Sequence, residues 1–356
     1  MKPFLKAVLG DSSGQLKTKI LCLYGALILF NVGVWTWAFM AFRDYPLLMG
    51  TSLLAYSLGL RHAVDADHIA AIDNVTRKLM QAGKRPISVG LMFSLGHSTI
   101  VVLASTGIAV TALATQGSLA EFKAVGGLVG TLVSTLFLIA IGMINLVILW
   151  SAIKTFQRVR RGEPYVEEDF DLLMSGRGML SRLFRPLFGL ISKSWHMYFL
   201  GFLFGLGFDT ATEIGLLGIA AAGAAQGMPI WSILVFPMLF MAGMTLIDTT
   251  DSILMLGAYG WAFVKPIRKL YYNITITAVS VIVALSVGGI EGLGLLADQL
   301  GWGGGLWDVV GSLNDHFGLI GYGIVGVFVL SWLISVGVYR FKRYEDVEVT
   351  LETGPR

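Results

Sequence analysis

The residues of this sequence that could bind a metal ion are concentrated between Leu58 and Arg77, in the stretch LGLRHAVDADHIAAIDNVTR. Imidazoles together with carboxylates suit a borderline divalent transition-metal ion, whereas carboxylates alone would suit calcium or magnesium. The stretch therefore predicts a site for a divalent transition metal. Its candidate donors are two imidazoles and two carboxylates: His62, Asp65, Asp67 and His68.

The surroundings of this stretch are apolar. Of the 356 residues, 55% are hydrophobic and 14% are charged. Apolar runs of about 20 residues, each enough to cross roughly 30 Å of hydrocarbon, recur along the chain. The net charge of +3 comes from scattered basic residues and not from one basic face, so nothing indicates nucleic-acid binding. We therefore predict an all-α integral membrane protein, a single membrane domain over 1–356 in contact with the lipid bilayer.

Eight membrane-spanning helices are predicted, with the N and C termini in the cytoplasm. In this orientation all but three of the 26 Lys and Arg residues lie on the cytoplasmic side, as the positive-inside rule requires. The three exceptions are Arg43, Lys123 and Arg61. The predicted spans are 20–42, 46–75, 87–114, 124–153, 196–222, 230–258, 271–290 and 317–339.

One long polar segment, 154–193, mixes basic and acidic residues and is predicted to be a cytoplasmic loop. It divides the chain into four helices within 20–153 and four within 196–339. A short cytoplasmic tail, 340–356, completes the predicted organisation.

Acidic residues fall inside the predicted spans, where lipid would penalise them. A charged group at the centre of a membrane helix costs about 3 kcal/mol on insertion scales, so these side chains are expected to face the interior of the bundle. By their distance from the nearest cytoplasmic basic cluster, the histidines and several of these carboxylates share a layer near mid-membrane, where transporter sites usually lie. The acidic residues are Asp65, Asp67, Asp73, Asp209, Glu213, Asp248 and Asp251.

Three further stretches carry polar groups to this layer. FSLGHSTIVV places His97 in the third span. FLFGLGFDTATEIG places Asp209 and Glu213 one helical turn apart in the fifth, and GMTLIDTTDS places Asp248 and Asp251 similarly in the sixth. These groups could complete the coordination, hold counter-charge, relay protons or form a packing network without metal. The sequence leaves these alternatives open.

An ideal helix cannot direct every donor of the second span to one side. At about 100° per residue, His62, Asp65 and His68 fall within an arc of about 120°. Asp67 points in nearly the opposite direction. Either the helix is broken here and Asp67 joins the histidines, or Asp65 is the ligand and Asp67 supports it from behind.

Two charged residues near this motif receive a structural interpretation. Arg61 is expected to be an internal counter-ion to the carboxylates. Asp73 lies closer to the cytoplasmic edge and is expected to pair with Arg77 or Arg61. Both would belong to a polar network that supports the site.

Enzyme signatures are missing from the sequence. There is no H-E-x-x-H zinc-protease motif and no Walker motif for nucleotide binding. Cys22 is the only cysteine, which excludes a disulfide framework or a thiolate metal cluster. We therefore expect a transporter and not an enzyme, with no cofactor, and any ATP-driven step would need another subunit. Because an inside-negative potential of about 100 mV favours entry of a divalent ion by roughly 4–5 kcal/mol, we expect that no ATPase subunit is required.

The stretch from His62 to His68 matches the H-x4-D-H signature of the nickel/cobalt transporter family (NiCoT). LGHSTIVV, LGFDTATEI and GMTLIDTTDS resemble the further signatures of that family, in the same order, so that the resemblance covers essentially the whole chain. It implies a high-affinity permease that imports Ni²⁺, Co²⁺ or both, as its substrate, across a bacterial cytoplasmic (inner) membrane. It also implies that His62, Asp67 and His68 are needed for uptake, and it makes Asn31, in the first span, a candidate modulator of cation preference.

Two rival functions stay open. An exporter of the same metals would use the same ligands, but exporters of related type often carry a histidine-rich cytoplasmic loop, and 154–193 contains no histidine. A membrane metalloenzyme would need an open coordination position and a substrate cleft. The sequence therefore favours metal uptake.

Overall fold

The structure is a computed structural model that describes residues 16–111, 117–161, 191–206, 211–262 and 266–341. Within these residues the chain is helical and contains no strand, which confirms the all-α prediction. A short 3-10 turn, Ser194–His196, precedes the sixth helix. The helices are α1 (Leu16–Phe42), α2 (Pro46–His62), α3 (Ala66–Gln81), α4 (Val89–Thr111), α5 (Gly117–Arg160), α6 (Met197–Phe204), α7 (Ala211–Ala225), α8 (Ile230–Ile233), α9 (Val235–Ala262), α10 (Pro266–Leu300), α11 (Leu306–Asp315) and α12 (Phe317–Phe341).

Five helices in the described part of the chain are long and apolar enough to cross a membrane. A sixth candidate is counted if the helices Leu306–Asp315 and Leu319–Ser331, which are bent by 80° relative to each other, form one span. The two other predicted spans, 46–75 and 196–222, each consist of two shorter helices, α2 with α3 and α6 with α7. The five candidates without such a bend in the described part of the chain are Leu16–Phe42, Val89–Val110, Thr131–Arg158, Ile230–Ala258 and Thr277–Leu300.

The second predicted span is broken within the predicted metal-binding motif. Helix α2 ends at His62 and α3 begins at Ala66, and the backbone of Asp65 between them is extended, with φ −65° and ψ 148°. Gly321 of α12 packs against this break, because a Cβ atom at Gly321 would lie 1.6 Å from the carbonyl oxygen of Val64. Of the two alternatives for this span, the structure has the broken helix.

The fifth predicted span is also divided into two helices. Helix α6 ends at Phe204 and α7 begins at Ala211. Asp209 and residues 162–190 of the predicted cytoplasmic loop lie outside the described residues, as does the tail after Phe341. Helix α10 continues to Leu300, beyond the predicted end at 290, and α11 forms where no helix was predicted.

Helix α3 lies at the centre of the bundle, packed against α9, α10 and α12. Every residue from Ala66 to Met80 is buried except Asp67. Helices α5 and α10 pack along each other, and the Ser134 hydroxyl donates a hydrogen bond to Glu291 across them at 2.7 Å. The break after α2 therefore lies in the interior of the bundle, enclosed by neighbouring helices.

Candidate metal centre

Three histidines from three helices meet at the break. His62 is the last residue of α2, His68 lies at the start of α3, and His97 lies in α4. Each offers one ring nitrogen, and these nitrogens lie within 4.8 Å of one another. The exposed fraction of each histidine is 3% or less. We call these three residues the histidine cluster.

The break explains why two histidines of one span face each other. In a continuous helix, residues six positions apart are separated by about 9 Å along the axis. Here the ring centroids of His62 and His68 are 4.6 Å apart, and each lies within 4.8 Å of the ring centroid of His97. The extended backbone at Asp65 reorients α3 so that both imidazoles point to the same enclosed space.

His62 is held between a carboxylate and a second imidazole. Its Nδ1 lies 2.9 Å from the Asp65 carboxylate, and its Nε2 lies 2.9 Å from Nε2 of His97. The same His97 nitrogen lies 2.8 Å from the carboxylate of Glu213 in α7. Two ring nitrogens and a carboxylate oxygen thus converge on one point, where either a proton or a metal cation can be shared.

His68 is oriented by the sixth predicted span. Its Nδ1 lies 3.4 Å from the carboxylate of Asp248 in α9. Its Nε2 is buried and makes no hydrogen bond within the described residues, and the same holds for Nδ1 of His97. A buried imidazole with a carboxylate on one nitrogen and no partner on the other has the arrangement of a metal-ligating histidine before the metal binds.

Phenylalanine rings form an apolar wall beside the cluster. The Phe93 ring packs edge-on against His68 with centroids 4.8 Å apart, and the Phe240 ring lies 5.5 Å from His62. These rings exclude water and lower the local dielectric, which strengthens the interaction of the carboxylates with a cation. These two rings were not predicted from the sequence, because a phenylalanine in an apolar span carries no functional signal.

Asp67 and Asp65 occupy different positions relative to His62. Asp67 lies in the first turn of α3, is partly buried and interacts electrostatically with His62. It is Asp65 that makes the hydrogen bond to His62. The structure thus combines features of both sequence alternatives, since the helix is broken and Asp65 contacts a histidine directly. The ligand roles of both aspartates stay predictions.

Other predicted residues surround the cluster at greater distance. Asp251 follows Asp248 by one turn, its Oδ2 makes no hydrogen bond within the described residues, and it interacts electrostatically with Asp73. Asp73 accepts a hydrogen bond from the Ser280 hydroxyl at 2.6 Å. Arg61 is exposed and lies outside the cluster, at variance with its interpretation as an internal counter-ion.

Asn31 does not reach the cluster. Its amide donates to the carbonyl oxygen of Ala242 at 3.4 Å and accepts a hydrogen bond from the Tyr56 hydroxyl at 3.0 Å. It therefore joins α1 to both α9 and α2. An influence of Asn31 on cation preference stays a prediction and would act through helix packing.

A buried polar network lies further along α3. Arg77 donates hydrogen bonds to Thr277 at 3.1 Å and to Asn74 at 3.2 Å, and the Asn145 amide donates to the Asn74 side-chain oxygen. The network links α3, α5 and α10. This network was not predicted from the sequence, although Asn145, a single amide within the apolar fourth span, could have indicated it.

Comparisons with known proteins agree with this chemistry. The family profile described as "High-affinity nickel-transport protein" (NicO) matches residues 48–338. The "High-affinity nickel transport protein" of Cupriavidus necator is 63% identical, over 98% of this chain and 99% of its own length. The "Nickel transporter NixA" of Staphylococcus aureus is 48% identical over 90% and 94%, and the "Cobalt transport protein NhlF" of Rhodococcus rhodochrous is 41% identical over 80% and 81%. No solved structure matches the chain.

Proposed function

The chain belongs to the high-affinity nickel-transport family, and we propose on that basis that it imports Ni²⁺, and Co²⁺ as a second substrate, through the histidine cluster. In this proposal the protein crosses the bacterial inner membrane eight times, with α2–α3 and α6–α7 as broken spans and both termini in the cytoplasm. The ion enters from outside, binds near mid-membrane and leaves to the cytoplasm.

One observation carries the proposal: three enclosed imidazoles converge at a helix break. Broken helices that line a cavity are the usual place for substrate sites in secondary transporters. Imidazole nitrogen with carboxylate oxygen is a donor set that suits nickel and cobalt. All three histidines are buried, and two of them hold a ring nitrogen without a hydrogen-bond partner within the described residues.

The names of the relatives support nickel as the substrate. The family profile and the relatives of Cupriavidus necator and Staphylococcus aureus are named for nickel, and that of Rhodococcus rhodochrous is named for cobalt. Imidazole nitrogen and carboxylate oxygen donors are compatible with either ion.

The carboxylates give the site its charge and its rigidity. Asp65 contacts His62, Asp248 contacts His68, and Glu213 contacts His97 and also lies 3.9 Å from Nε2 of His62. A carboxylate beside an imidazole fixes the ring orientation and makes the imidazole a stronger ligand. Their negative charge also compensates a divalent cation in a region from which water is excluded. Protonation of a histidine or a carboxylate at the site would weaken metal binding and favour release.

The membrane potential is sufficient to drive accumulation. An inside-negative potential of about 100 mV favours entry of a divalent ion by roughly 4–5 kcal/mol, at about 2.3 kcal/mol per charge. This corresponds to an accumulation of more than a thousandfold at about 1.4 kcal/mol per factor of ten. Import therefore needs no ATPase subunit in this proposal.

Radioactive nickel uptake tests the proposal in cells that express the chain. We expect His62→Ala to reduce nickel and cobalt accumulation to the level of cells without the protein. The matched control is His316→Ala, because His316 is exposed at the junction of α11 and α12, whereas the three histidines of the cluster are buried. The amount of each variant in the membrane is measured by immunoblot.

Two carboxylate variants refine the assignment. Asp65→Asn removes the charge that contacts His62, so we expect a loss of uptake of about tenfold or more. Asp67→Asn tests the family expectation for the other aspartate on the same assay. Normal accumulation by a correctly inserted His62→Ala variant would refute the site, and faster loss of nickel from preloaded cells would reverse the direction to export.

A further inference from the structure

Two helix crossings in this structure are built from the same sequence pattern. In the first, Gly59 of α2 meets α9, and a Cβ atom on Gly59 would lie 2.2 Å from the carbonyl oxygen of Phe240. Gly243 of α9 likewise faces α2, because a Cβ atom on Gly243 would lie 2.7 Å from the carbonyl oxygen of Tyr56. We call this contact the α2–α9 crossing. Only glycine allows the two backbones to approach this closely.

The second crossing joins α4 and α6. A Cβ atom on Gly96 would lie 1.9 Å from the carbonyl oxygen of Tyr198, and one on Gly201 would lie 2.0 Å from that of Phe93. We call this contact the α4–α6 crossing. In both crossings each glycine faces the carbonyl of the residue three positions before the partner glycine.

The sequence repeats along with the geometry. Helix α2 reads Tyr-Ser-Leu-Gly at 56–59 and α6 reads Tyr-Phe-Leu-Gly at 198–201. Helix α4 reads Phe-Ser-Leu-Gly at 93–96 and α9 reads Phe-Met-Ala-Gly at 240–243. Helices α2 and α6 also both end three residues after their glycine, at a break in the span. The two crossings are therefore equivalent parts of an internal repeat.

The repeat is inverted with respect to the membrane. In the proposed topology, spans three and four lie between spans two and five. Spans two and five therefore run through the membrane in opposite directions. The glycines of α2 and α6, Gly59 and Gly201, each precede the break in their own span, and consequently the two crossings lie on opposite sides of the histidine cluster. The α2–α9 crossing is on the outer side and the α4–α6 crossing is on the cytoplasmic side.

Each crossing is fastened by the hydroxyl of its equivalent tyrosine. The Tyr56 hydroxyl donates to Asn31, whose amide donates to the carbonyl of Ala242, next to the glycine of α9. The Tyr198 hydroxyl and the Thr99 hydroxyl of α4 share a hydrogen bond of 3.0 Å. Both crossings are closed in this structure, and the histidines between them are almost fully buried.

We propose that the α2–α9 crossing is the outer gate and the α4–α6 crossing the cytoplasmic gate of the transport path, with Tyr56 and Tyr198 as the residues that latch them. The structure is then the occluded state, and parting one crossing while the other stays closed exposes the cluster to one side at a time. The inference rests on the proposed function, because a gate requires a transported ion. Its test does not rest on that function, because the test measures labelling and not transport.

The test measures access to the centre of the bundle without measuring transport. Cys22, the only cysteine, is replaced by Ser, and Ser98→Cys provides a reporter thiol, because Ser98 is fully buried beside the cluster. A membrane-impermeant maleimide is applied to intact cells, and separately to inside-out vesicles, with no nickel added. Thr249→Cys, also fully buried, is a second reporter on α9.

Tyrosine-to-phenylalanine changes remove one hydroxyl each and leave the packing intact. Tyr56→Phe is expected to raise labelling from outside about fivefold, because the loss of one hydrogen bond shifts an opening equilibrium by about that factor. Labelling from the cytoplasmic side should stay unchanged. Tyr198→Phe is expected to do the reverse. Tyr322→Phe is the control, because Tyr322 is exposed on α12.

Glycine-to-alanine variants test the same two crossings by a larger structural change. Gly59→Ala wedges the α2–α9 crossing, with Gly50→Ala as the control in the same helix, where a Cβ meets open space. Gly96→Ala wedges the α4–α6 crossing, with Gly107→Ala as its control in α4. The tyrosine variants keep the test decisive where a wedged protein does not fold.

Increased labelling from opposite sides in the two tyrosine variants supports the gates, and the side on which each rises reports the orientation of the chain. Increases from the same side, from both sides in one variant, or in neither overturn the proposal. Because labelling requires no metal flux, a failure of nickel uptake leaves this result unaffected, and the two proposals fail separately.

Discussion

Helices α1 and α3 are opposites in composition and in position. Helix α1 is almost wholly apolar, yet it exposes Leu21, Leu29 and Met40 by 72–74%. Helix α3 carries two aspartates, a histidine, an arginine and a lysine, yet nearly every residue of it is buried. In water the positions would be reversed. The difference shows that lipid is the solvent, so the apolar helix faces outward and the polar helix is enclosed by partners.

The two helices are also held in place by different interactions. Apolar side chains gain little by leaving lipid for a protein interior, so α1 is retained mainly by its solubility in the bilayer and by close packing. The polar groups of α3 find donors and acceptors on α5, α9 and α10. The polar side chains of α3 are therefore matched by partners on neighbouring helices, at the histidine cluster and along the network beside it, and the following changes test this contrast.

The largest effect is expected from making α3 apolar at the cluster. His68→Leu should abolish nickel uptake and also lower stability, because Asp248 loses its imidazole partner and stays buried. The double variant with Asp248→Leu should regain the unfolding temperature in detergent but not the uptake. Uptake at the level of the unmodified protein in either variant would contradict a ligand role for His68.

The reverse change makes α1 polar. Leu29 lies at the middle of α1 and is 74% exposed, so Leu29→Lys should cost roughly 3 kcal/mol on membrane insertion and reduce the amount of protein in the membrane fraction. Leu29→Ala is the control and should change this amount little. Equal amounts of both variants would mean that Leu29 does not face lipid.

A smaller effect is expected where α12 supports the break. Gly321→Ala places a methyl group against the carbonyl oxygen of Val64, so α12 must move away, at a cost of about 1–3 kcal/mol. Thermal unfolding in detergent measures the loss, and Gly323→Ala, whose Cβ meets open space, is the matched control. If the two variants unfold at the same temperature, α12 does not hold the break in position.

The smallest effect concerns one hydrogen bond of the buried network. Ser280→Ala removes the donor to Asp73 and should lower the stability by about 1 kcal/mol. Ser57→Ala is the control, because Ser57 is exposed in α2 and bonds only within its own helix. A Ser280 variant as stable as the Ser57 variant would show that Asp73 has sufficient other partners.

The sequence predicted much of the architecture but assumed regular helices. Long apolar runs identified the unbroken membrane helices correctly, because hydropathy depends only on composition within a window. The break after His62 could be posed only as one of two alternatives, because a helical projection assumes the regular backbone that is lost at Asp65. The same assumption turned Arg61 inward, whereas the structure leaves it exposed.

By itself the sequence determined that this protein resides in a membrane, which ionisable residues its spans contain and which metals such donors suit. These conclusions follow from residue types and from the cost of charge in lipid. Only the tertiary structure decided which donors meet. The partners of the cluster are separated by 35, 116 and 180 positions, and the packing of α2, α3, α4, α7 and α9 brings them within hydrogen-bond distance. No local pattern encodes such contacts, because they depend on how separate helices cross.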